Sequence, residues 1–406
     1  MKILVSCYAC SPYKGSEPGM GWNFVKALGP LFELHIITES KFKPDLDRYF
    51  TEHPEETGRF KFYFIRKERH KKLRKIYPPS YYWFYKRWQQ EAYLLALELH
   101  EKERFDIVHQ LNMVGYREPG YLWKIQHVPF VWGPIGGFNI TPWNMLPSMG
   151  LYGMLFYGCR NLINLWQMHT MGRVKKAMQR TDAIIAATQY CKEAIKRLYN
   201  RDSCIISEVG LVKQGVVAKN KRQNGETLRI CWSGQHTPGK SLNLLIEAMA
   251  KIKNIPVELH VIGKGPETHK WQMMARTWGV NHIVWHGWVE RTEAIDIMKK
   301  AHVFIITSMC DLTSTVILEA LSMGLPVITM DHCGFSNVIN ENCGMKIPVT
   351  CKSQIVDGLI QSIIKLEKDE EYRFKLSEGA IVRANDFSWE EKSKILDVIY
   401  KQVCRS

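Results

Sequence analysis

Acidic and hydroxyl side chains surround the start of one predicted helix in the last third of the chain. A predicted strand ends at Ile306, Asp311 follows in a loop, and Ser314 and Thr315 precede a helix that contains Glu319. The first amide groups of a helix have no partner within the helix, so they can bind phosphate oxygens. The two carboxylates can therefore bracket a sugar nucleotide, one at the sugar and one at the ribose hydroxyls. The alternative is a helix-terminal aspartate and a surface glutamate that bind no ligand.

A lysine that could contact phosphate follows an earlier predicted strand, in the segment CWSGQHTPGKSLNLLIEAM. Lys240 would supply a strong point charge, whereas Gln235 in the same segment donates only a neutral hydrogen bond. Taken alone, Lys240 is expected to be a solvated surface residue. The surrounding sequence favours the functional interpretation.

The segment Ser308 to Gly334 resembles one region of a known family. Its sequence, SMCDLTSTVILEALSMGLPVITMDHCG, is similar to the Glu-x7-Glu region and the LEAMACGLPVIA signature of the family 4 (group 1) retaining glycosyltransferases, which have the GT-B fold. The family's first Glu is Asp311 here and its second is Glu319. The resemblance implies that Asp311 orients the sugar hydroxyls, that Glu319 holds the ribose, and that amides near Ser314 and Thr315 bind the diphosphate.

The segment around Lys240 is similar to the family's GR…KG…LIEA motif, whose Arg and Lys grip the nucleotide diphosphate. Lys240 matches the family's Lys, but Gln235 stands at the position of the Arg, with His236 beside it. The resemblance therefore assigns all three residues to the donor site. Either His236 or another cation replaces the missing charge, or the affinity for the donor is lower.

Further family landmarks occur in the same order along the chain. VIGKGPE, with Gly263 and Gly265, is similar to the family's IIGDGPE turn, and Val289 in HGWVE lies in a segment similar to one that follows the nucleobase. Gly19 and Gly21 in SEPGMGWNF resemble the family's glycine-rich loop after the first strand, where the backbone approaches a diphosphate or an acceptor closely. In isolation such Gly-x-Gly patterns indicate only turns.

A histidine in the first half of the chain is a candidate catalytic residue beside Asp311. His109 in FDIVHQLN ends a predicted strand where the family commonly has a VHxH sequence, although the second His of that pattern is Leu111 here. His109 is expected to contact the acceptor or the sugar. The alternative is a buried histidine with satisfied hydrogen bonds.

Short apolar strands alternate with amphipathic helices in both halves of the chain, which predicts an α/β protein with parallel sheets. We expect a GT-B fold of two Rossmann-like lobes that face a central cleft. Residues 1–208 are the predicted acceptor-binding domain, and residues 209–386 the predicted donor-binding domain, with a polar linker at its start. Residues 387–406 contain a predicted helix that crosses back onto the first domain.

The composition of the 406 residues indicates a well-packed globular protein. The chain is 46% hydrophobic and has 55 Lys and Arg against 40 Asp and Glu, a net charge of +15, which excludes a disordered or collagen-like protein. Eleven cysteines, an odd number, suggest reduced thiols in the cytoplasm. No signal peptide is apparent, and the apolar window 151–168 is interrupted by Arg160, Asn161 and Asn164, so we expect no transmembrane helix.

The positive charge calls for an anionic partner. A basic run, Arg66 to Arg74, is followed by the aromatic run Tyr77 to Trp88, and an apolar segment between Pro142 and Met178 precedes a cationic turn. Each of these two regions is either a charged face beside a core helix or a surface that docks on an anionic membrane. Docking would place the protein peripherally on the inner face of the plasma membrane. No RNA- or DNA-binding motif is present, so we expect no nucleic acid partner.

No metal or other cofactor is predicted. The CYAC sequence at Cys7 to Cys10 has no second cysteine pair, which favours packing over zinc or redox chemistry. Asp45 and Asp47 imitate a metal-binding DxD but lie in a charged stretch after the second strand. The GT-B resemblance also implies a metal-independent enzyme.

The predicted activity is that of a retaining glycosyltransferase, a hexosyltransferase that uses a nucleotide-diphosphate sugar. The acceptor is a hydroxyl of a glycan or a lipid-linked oligosaccharide, and the setting is bacterial capsule, O-antigen or exopolysaccharide synthesis. One alternative is a sugar-nucleotide epimerase on the same fold. Another is a sugar-nucleotide-binding homologue without catalysis, which the departures at Gln235 and Asp311 suggest.

Overall fold

The protein was analysed as a computed structural model, which describes residues 1–68, 72, 76–77, 80–212, 221–252 and 254–405. The chain forms two compact units. The first contains Met1–Phe138, Gln167–Gly210 and Trp389–Ser406, and the second contains Asn139–Trp166 and Leu211–Ser388. Most of the basic run Arg66 to Arg74, and positions 213–220 of the expected linker, lie outside the described residues.

The first unit is built on a parallel sheet of seven strands within its described residues, in the order β3-β2-β1-β4-β5-β6-β7. The strands are β1 Lys2–Cys7, β2 Glu33–Glu39, β3 Phe60–Ile65, β4 Ile107–Asn112, β5 Phe130–Ile135, β6 Ala183–Ala186 and β7 Cys204–Ile205. The helices assigned wholly to this unit are α1 Ser16–Leu28, α2 Lys43–Glu52, α3 Ser80–Glu103, α5 Gly172–Arg180, α6 Gln189–Tyr199 and, at the other end of the chain, α14 Trp389–Val403.

The second unit has a parallel sheet of six strands within its described residues, in the order β10-β9-β8-β11-β12-β13. The strands are β8 Leu228–Ser233, β9 Val257–Ile262, β10 Ile283–Gly287, β11 Val303–Ile306, β12 Val327–Met330 and β13 Gly344–Ile347. Its helices are α7 Leu242–Lys251, α8 Thr268–Thr277, α9 Arg291–Lys300, α10 Thr315–Ser322, α11 Phe335–Val338, α12 Lys352–Lys368 and α13 Glu370–Asn385. Helix α4, Gly150–Thr170, begins in this unit and ends in the first.

The central strands are apolar because both faces of each sheet are covered. All six residues of β4 and all four of β11 are buried, as expected for a parallel sheet with helices on both sides. In both units the first strand has neighbours on both sides, and the strand order reverses there. The expected α/β class with two Rossmann-like units is confirmed.

The C-terminal helix belongs to the first unit, although almost two hundred residues separate it from the preceding part of that unit. The ring of Trp389 packs edge-on against Phe24 of α1 at 4.9 Å, and Tyr400 packs against Phe32 at 5.4 Å. Aromatic pairs of this geometry add to the area they bury. Helix α14 is thus part of the core of the first unit.

Two boundaries differ from the expected ones. Residues 139–166, expected in the first domain, pack with the second unit, because Met145, Leu146 and Tyr157 join its hydrophobic core. Helix α1 begins at Ser16, whereas the sequence predicts a loop up to Gly21. Gly21 lies within the helix, and close packing requires a glycine there, since a Cβ would be 2.2 Å from the carbonyl oxygen of Ala9.

Candidate functional site

The loops that follow β8 and β11 are joined by hydrogen bonds to backbone carbonyl groups. The amide of Met309 donates to the carbonyl of Gly239 at 2.9 Å, and the hydroxyl of Thr307 donates to the carbonyl of Lys240 at 2.7 Å. The two strands are neighbours in a parallel sheet, so their carboxyl ends share one edge. That edge is where ligands of open α/β sheets bind.

These loops bring Lys240 and Asp311 into contact. The ammonium of Lys240 donates a hydrogen bond to a carboxylate oxygen of Asp311, and both side chains are about four-fifths buried. Lys240 ends a short helical turn, Pro238–Lys240, directly before α7. The pair places a cation at the sheet edge, and an incoming anion can compete with Asp311 for it.

The start of α10 lies just beyond this pair in the chain. The amide of Gly334 donates to the carbonyl of Leu312 at 2.6 Å, which anchors the loop that leads to the helix. Ser314 is extended, and its side chain makes no hydrogen bond that caps the helix. Thr315, the first helical residue, is exposed. The first amides of α10 are therefore left to water or to a ligand.

Glu319 is paired with an arginine that sequence reasoning missed. Nη2 of Arg291 donates to Oε1 of Glu319 at 2.7 Å, and Nε donates to the same oxygen at 3.2 Å. The Arg291 side chain is 77% exposed and that of Glu319 only 16%. Arg291 is the first residue of α9 and directly follows the HGWVE segment.

Val289 lies half-buried in the loop between β10 and α9, two positions before Arg291. This loop follows Gly287, whose φ of +71° favours glycine and whose carbonyl accepts a hydrogen bond from the amide of Gly263 at 2.7 Å. The segment is thereby held beside the turn after β9. Its expected contact with a nucleobase stays a prediction.

Gly263 and Gly265 are required by backbone packing. Gly263 has a φ of +125°, and a Cβ there would lie 2.0 Å from the carbonyl oxygen of Gly234. A Cβ on Gly265 would lie 2.5 Å from the carbonyl oxygen of His236. The turn after β9 is therefore pressed against the loop after β8. Lys264, between the two glycines, is exposed and accepts a hydrogen bond at its carbonyl from the amide of His236 at 3.3 Å.

His236 does not supply the charge that Gln235 lacks. The imidazole is buried, and its ring centroid lies 5.6, 5.2 and 6.0 Å from those of three indoles, Trp232, Trp271 and Trp285. This burial lowers the pKa of His236 to about 4, so the ring is neutral at pH 7. A neutral His236 favours the other two alternatives, namely another cation or a lower affinity for the donor.

The position of His109 favours the buried alternative over a catalytic role. The side chain is fully buried, its Nδ1 is 2.6 Å from the hydroxyl of Tyr400, and its Nε2 is 2.8 Å from the carbonyl oxygen of Gly133. Burial lowers the pKa of His109 to about 4. Both ring nitrogens are occupied within the first unit, so neither is available to a substrate. His109 joins the C-terminal helix to the sheet.

Gly19 and Gly21 lie in the first unit, inside α1. A Cβ on Gly19 would lie 2.4 Å from the carbonyl oxygen of Lys14, so both glycines allow close backbone packing. Their expected contact with the donor stays a prediction.

A tyrosine from α4 forms part of the support beneath Lys240. A Cβ on Gly239 would lie 2.3 Å from the sulfur of Cys310 and 2.6 Å from the hydroxyl of Tyr157. Burial raises the pKa of the Tyr157 hydroxyl and of the Cys310 thiol, so both are neutral. Sequence reasoning missed this role, because the segment around Tyr157 was expected to belong to the other domain.

The residues that imitate metal ligands have other partners. The Asp45 carboxylate accepts a hydrogen bond from Ser11 at 2.6 Å and pairs with Lys14 at 2.8 Å, while Asp47 pairs with Lys43 at 2.7 Å. All eleven cysteines are free thiols. That the protein works without a metal or cofactor stays a prediction.

Part of the second unit is similar in sequence to a known protein family. Residues 217–383, less than half of the chain, match the sequence model of the family described as "Glycosyl transferases group 1". Residues 217–383 are therefore similar to group 1 glycosyltransferases. Lys240, Asp311 and Glu319 all lie within these matched residues.

Curated relatives of the chain include the phosphatidylinositol N-acetylglucosaminyltransferase GPI3 subunit of Saccharomyces cerevisiae. It is 22% identical over 222 residues, which make up 51% of this chain and 48% of the relative. The chain therefore spans about half the length of the curated relatives it matches.

Solved structures resemble the chain over nearly its full length. The lipopolysaccharide outer core galactosyltransferase WaaB in its apo form has a TM-score of 0.67 at 16% identity, with 99% of this chain and 100% of WaaB covered. Anabaena HepE in complex with UDP and glucose has a TM-score of 0.60 at 14% identity, with the same coverage. These likenesses show the fold, that of two-domain GT-B glycosyltransferases.

No helix in the described parts of the chain is long and apolar enough to cross a membrane.

Proposed function

We propose that this protein is a retaining glycosyltransferase that moves a hexose from a nucleotide-diphosphate sugar to a hydroxyl of a glycan or a lipid-linked glycan. The setting that we propose is the synthesis of a bacterial surface polysaccharide, at the cytoplasmic side of the membrane. The observation that supports this most strongly is the contact between Lys240 and Asp311, at a sheet edge within the residues that are similar to group 1 glycosyltransferases. The second unit binds the donor in this proposal, and the first unit binds the acceptor.

The diphosphate is held by Lys240 and by the first amides of α10. When the donor binds, the ammonium of Lys240 turns from the Asp311 carboxylate to a phosphate oxygen. The free amides after Ser314 meet the same group, since helix starts attract anions. As the bond to the sugar breaks, negative charge grows on the leaving phosphate, and these fixed donors stabilise it more than they stabilise the bound donor.

The two carboxylates bind hydroxyl groups at opposite ends of the donor. Asp311, once it has released Lys240, accepts hydrogen bonds from the sugar hydroxyls and favours the positive charge that develops on the sugar. Glu319, held in place by Arg291, accepts hydrogen bonds from the ribose. Arg291 thereby acts as a positioning residue.

In the proposed mechanism, the acceptor attacks from the same side that the diphosphate leaves, which retains the configuration. The leaving phosphate oxygen then accepts the proton of the acceptor hydroxyl, and no protein base is needed. This agrees with the buried and fully bonded state of His109, which leaves the reaction without a histidine base from β4.

Lys264 takes over the position of the missing diphosphate cation. The turn that carries it packs directly on the loop that carries Gln235, through the contacts of Gly263 and Gly265. Lys264 is exposed to solvent. Where the family sequence has IIGDGPE, this chain has VIGKGPE, so a cation is gained beside the position where one is lost.

The relatives suggest which donors to test first. HepE was solved with UDP and with UDP-glucose, and WaaB is named as a galactosyltransferase and the yeast relative as an N-acetylglucosaminyltransferase. UDP-hexoses and UDP-N-acetylhexosamines are therefore the first candidates. The names of the yeast relative and of WaaB both point to lipid-linked acceptors.

The deciding experiment measures donor-dependent stabilisation and then turnover. A panel of sugar nucleotides is screened for a rise in melting temperature, because a ligand that binds only the folded state stabilises it. The donor that stabilises the protein is then incubated with glycan and glycolipid acceptors, and the anomeric configuration of the product is read by NMR. Transfer with retention supports the proposal, and an inverted product contradicts it.

A binding protein without catalysis is the second candidate, because Gln235 stands at the position of the family's arginine and His236 beside it is neutral. It predicts a rise in melting temperature with a sugar nucleotide but no release of nucleoside diphosphate with any acceptor. Slow hydrolysis of the donor in the absence of an acceptor would exclude it.

A further inference from the structure

Helix α4 exposes a continuous apolar face. Leu151 is 71% exposed, Tyr152 72%, Leu155 59% and Leu162 61%. Phe156 and Ile163 lie between them and are at least half exposed. We call these six residues the α4 face. Soluble monomers rarely expose so many neighbouring apolar side chains without a partner for them.

The spacing of these residues shows that they form one continuous exposed side of an amphipathic helix. Positions 151, 155 and 162 and positions 152, 156 and 163 form two adjacent rows at helical spacing. The opposite side of the same helix is packed, since Tyr157, Asn161 and Asn164 are buried. With 21 residues, α4 is about 30 Å long, so the face is long enough to contact an extended partner.

The charges around α4 select an anionic partner. Helix α4 carries one charged side chain, Arg160, and no acidic one. No acidic residue occurs between Glu118 and Asp182, whereas six Lys and Arg residues do. The whole chain has a net charge of +15. A second copy of the chain would bring the same charge, so self-association through this face is electrostatically unfavourable.

The residue types fit a lipid surface. A helix that lies in a membrane interface has leucine and aromatic side chains on one face and cations near it. The α4 face consists of three leucines, one isoleucine, one tyrosine and one phenylalanine, and α5, which begins two positions after α4 ends, presents Lys175 and Lys176 to solvent. The described helices are not suited to crossing a membrane, so the partner surface is contacted and not spanned.

We propose that α4 is a membrane-docking helix, which lies in the plane of an anionic phospholipid bilayer with the α4 face inserted among the lipid chains. Cations near it contact the headgroups. None of the six residues of the α4 face belongs to the proposed donor site, so we expect docking without a bound nucleotide. It would hold the enzyme where lipid-linked acceptors reside.

Vesicle sedimentation tests the proposal with the full-length protein. The vesicles contain phosphatidylcholine alone or phosphatidylcholine mixed with phosphatidylglycerol. The double variant Leu155→Glu/Leu162→Glu places acid on the α4 face, and Leu94→Glu/Val382→Glu is the matched control, since Leu94 is 64% and Val382 69% exposed on other helices. The wild type and the control should sediment with the phosphatidylglycerol vesicles, whereas the α4 variant should bind about tenfold more weakly.

Three results would overturn the proposal. The first is wild-type protein that remains in the supernatant with both kinds of vesicle. The second is equal loss of binding in the control variant, which would indicate general surface hydrophobicity or charge. The third is a wild-type dimer, seen by sedimentation velocity without lipid, that becomes a monomer in the α4 variant, which would make a second copy the partner.

Two further samples keep the test decisive. If the melting temperature shows that the double glutamate variant is unfolded, Leu151→Ser/Tyr152→Ser at the exposed start of α4 replaces it, with the same expected loss. Lys240→Ala should bind vesicles as the wild type does. If Lys240→Ala binds vesicles but no longer binds the donor, docking and donor binding are independent. A failure of the docking proposal can then be told apart from a failure of the proposed function.

Discussion

The ammonium of Lys240 donates a hydrogen bond to the carboxylate of Asp311, 71 positions further along the chain. In this pair the ammonium is not free to bind a phosphate of the donor substrate, and the carboxylate is not free to bind its sugar. Binding of a nucleotide-diphosphate sugar would break this pair and replace it with two contacts, ammonium to phosphate and carboxylate to sugar hydroxyl. The pair therefore couples recognition of the diphosphate to recognition of the sugar.

Asp311→Asn should separate these two contacts. Removal of the carboxylate charge frees Lys240, so the affinity for a free nucleoside diphosphate should rise by about threefold to tenfold, since a competing anion is lost. Sugar transfer should fall by about 100-fold or more, because charge stabilisation at the sugar is lost. Calorimetric titration and a product assay measure the two effects. A parallel loss of both would contradict the exchange of partners.

Lys264→Ala should lower the affinity for the nucleoside diphosphate by about tenfold, as expected for loss of one charge-assisted hydrogen bond. The double variant Gln235→Arg/Lys264→Ala should recover most of this loss, because the arginine returns a cation to the neighbouring loop. Titration of the wild type, both single variants and the double variant forms a complete cycle. Strictly additive effects would show that Lys264 does not replace the missing charge.

Arg291→Ala should affect the donor more than the chemistry. Without Arg291, the carboxylate of Glu319 loses both of its guanidinium hydrogen bonds and is no longer held for the ribose. The KM for the donor should rise by about threefold to tenfold with little change in kcat, and Arg291→Lys should restore part of the loss. An equal fall in kcat would instead place Arg291 at the reacting atoms.

Acid should destabilise the first unit through His109. The folded-state pKa is lowered to about 4 from the ordinary value of 6.5, so between these pH values the unfolded chain binds a proton that the folded protein does not. Stability therefore falls as the pH drops from 6.5 towards 4, by about 1.4 kcal/mol per pH unit and about 3 kcal/mol in total for this one residue.

His109→Gln isolates this contribution. Glutamine offers a donor and an acceptor to Gly133 and Tyr400 but does not titrate. Urea unfolding at a series of pH values should show a smaller fall in the free energy of unfolding below pH 6.5 for the variant than for the wild type. Parallel pH profiles would mean that the pKa of His109 is the same in the folded and the unfolded protein.

The sequence predicted the alternation of strands and helices, because buried parallel strands such as β4 and β11 are short apolar runs. It also predicted that Lys240, Asp311 and Glu319 belong to one site, through the family motif. The contact between Lys240 and Asp311 follows from the neighbouring positions of β8 and β11, which a motif alone does not show.

The departures have physical causes that depend on distant residues. His236 is neutral because three indoles from β8, α8 and β10 bury it, and no local pattern announces that environment. His109 is bonded to Tyr400, which is 291 positions away. The packing of Tyr157 under Gly239 likewise depends on residues 139–166. They belong to the second unit although the chain before and after them belongs to the first.

Titration of UDP and GDP into the wild type, Lys240→Ala and Lys221→Ala tests the central claim most directly. Lys221 is the matched control, because it forms an ion pair with Glu371 in the same unit, at 2.6 Å, outside the proposed site. We predict that at least one nucleotide binds the wild type and Lys221→Ala equally and Lys240→Ala about 10- to 100-fold more weakly. Equal affinity in Lys240→Ala, or no binding of either nucleotide to the wild type, would contradict a diphosphate site at Lys240.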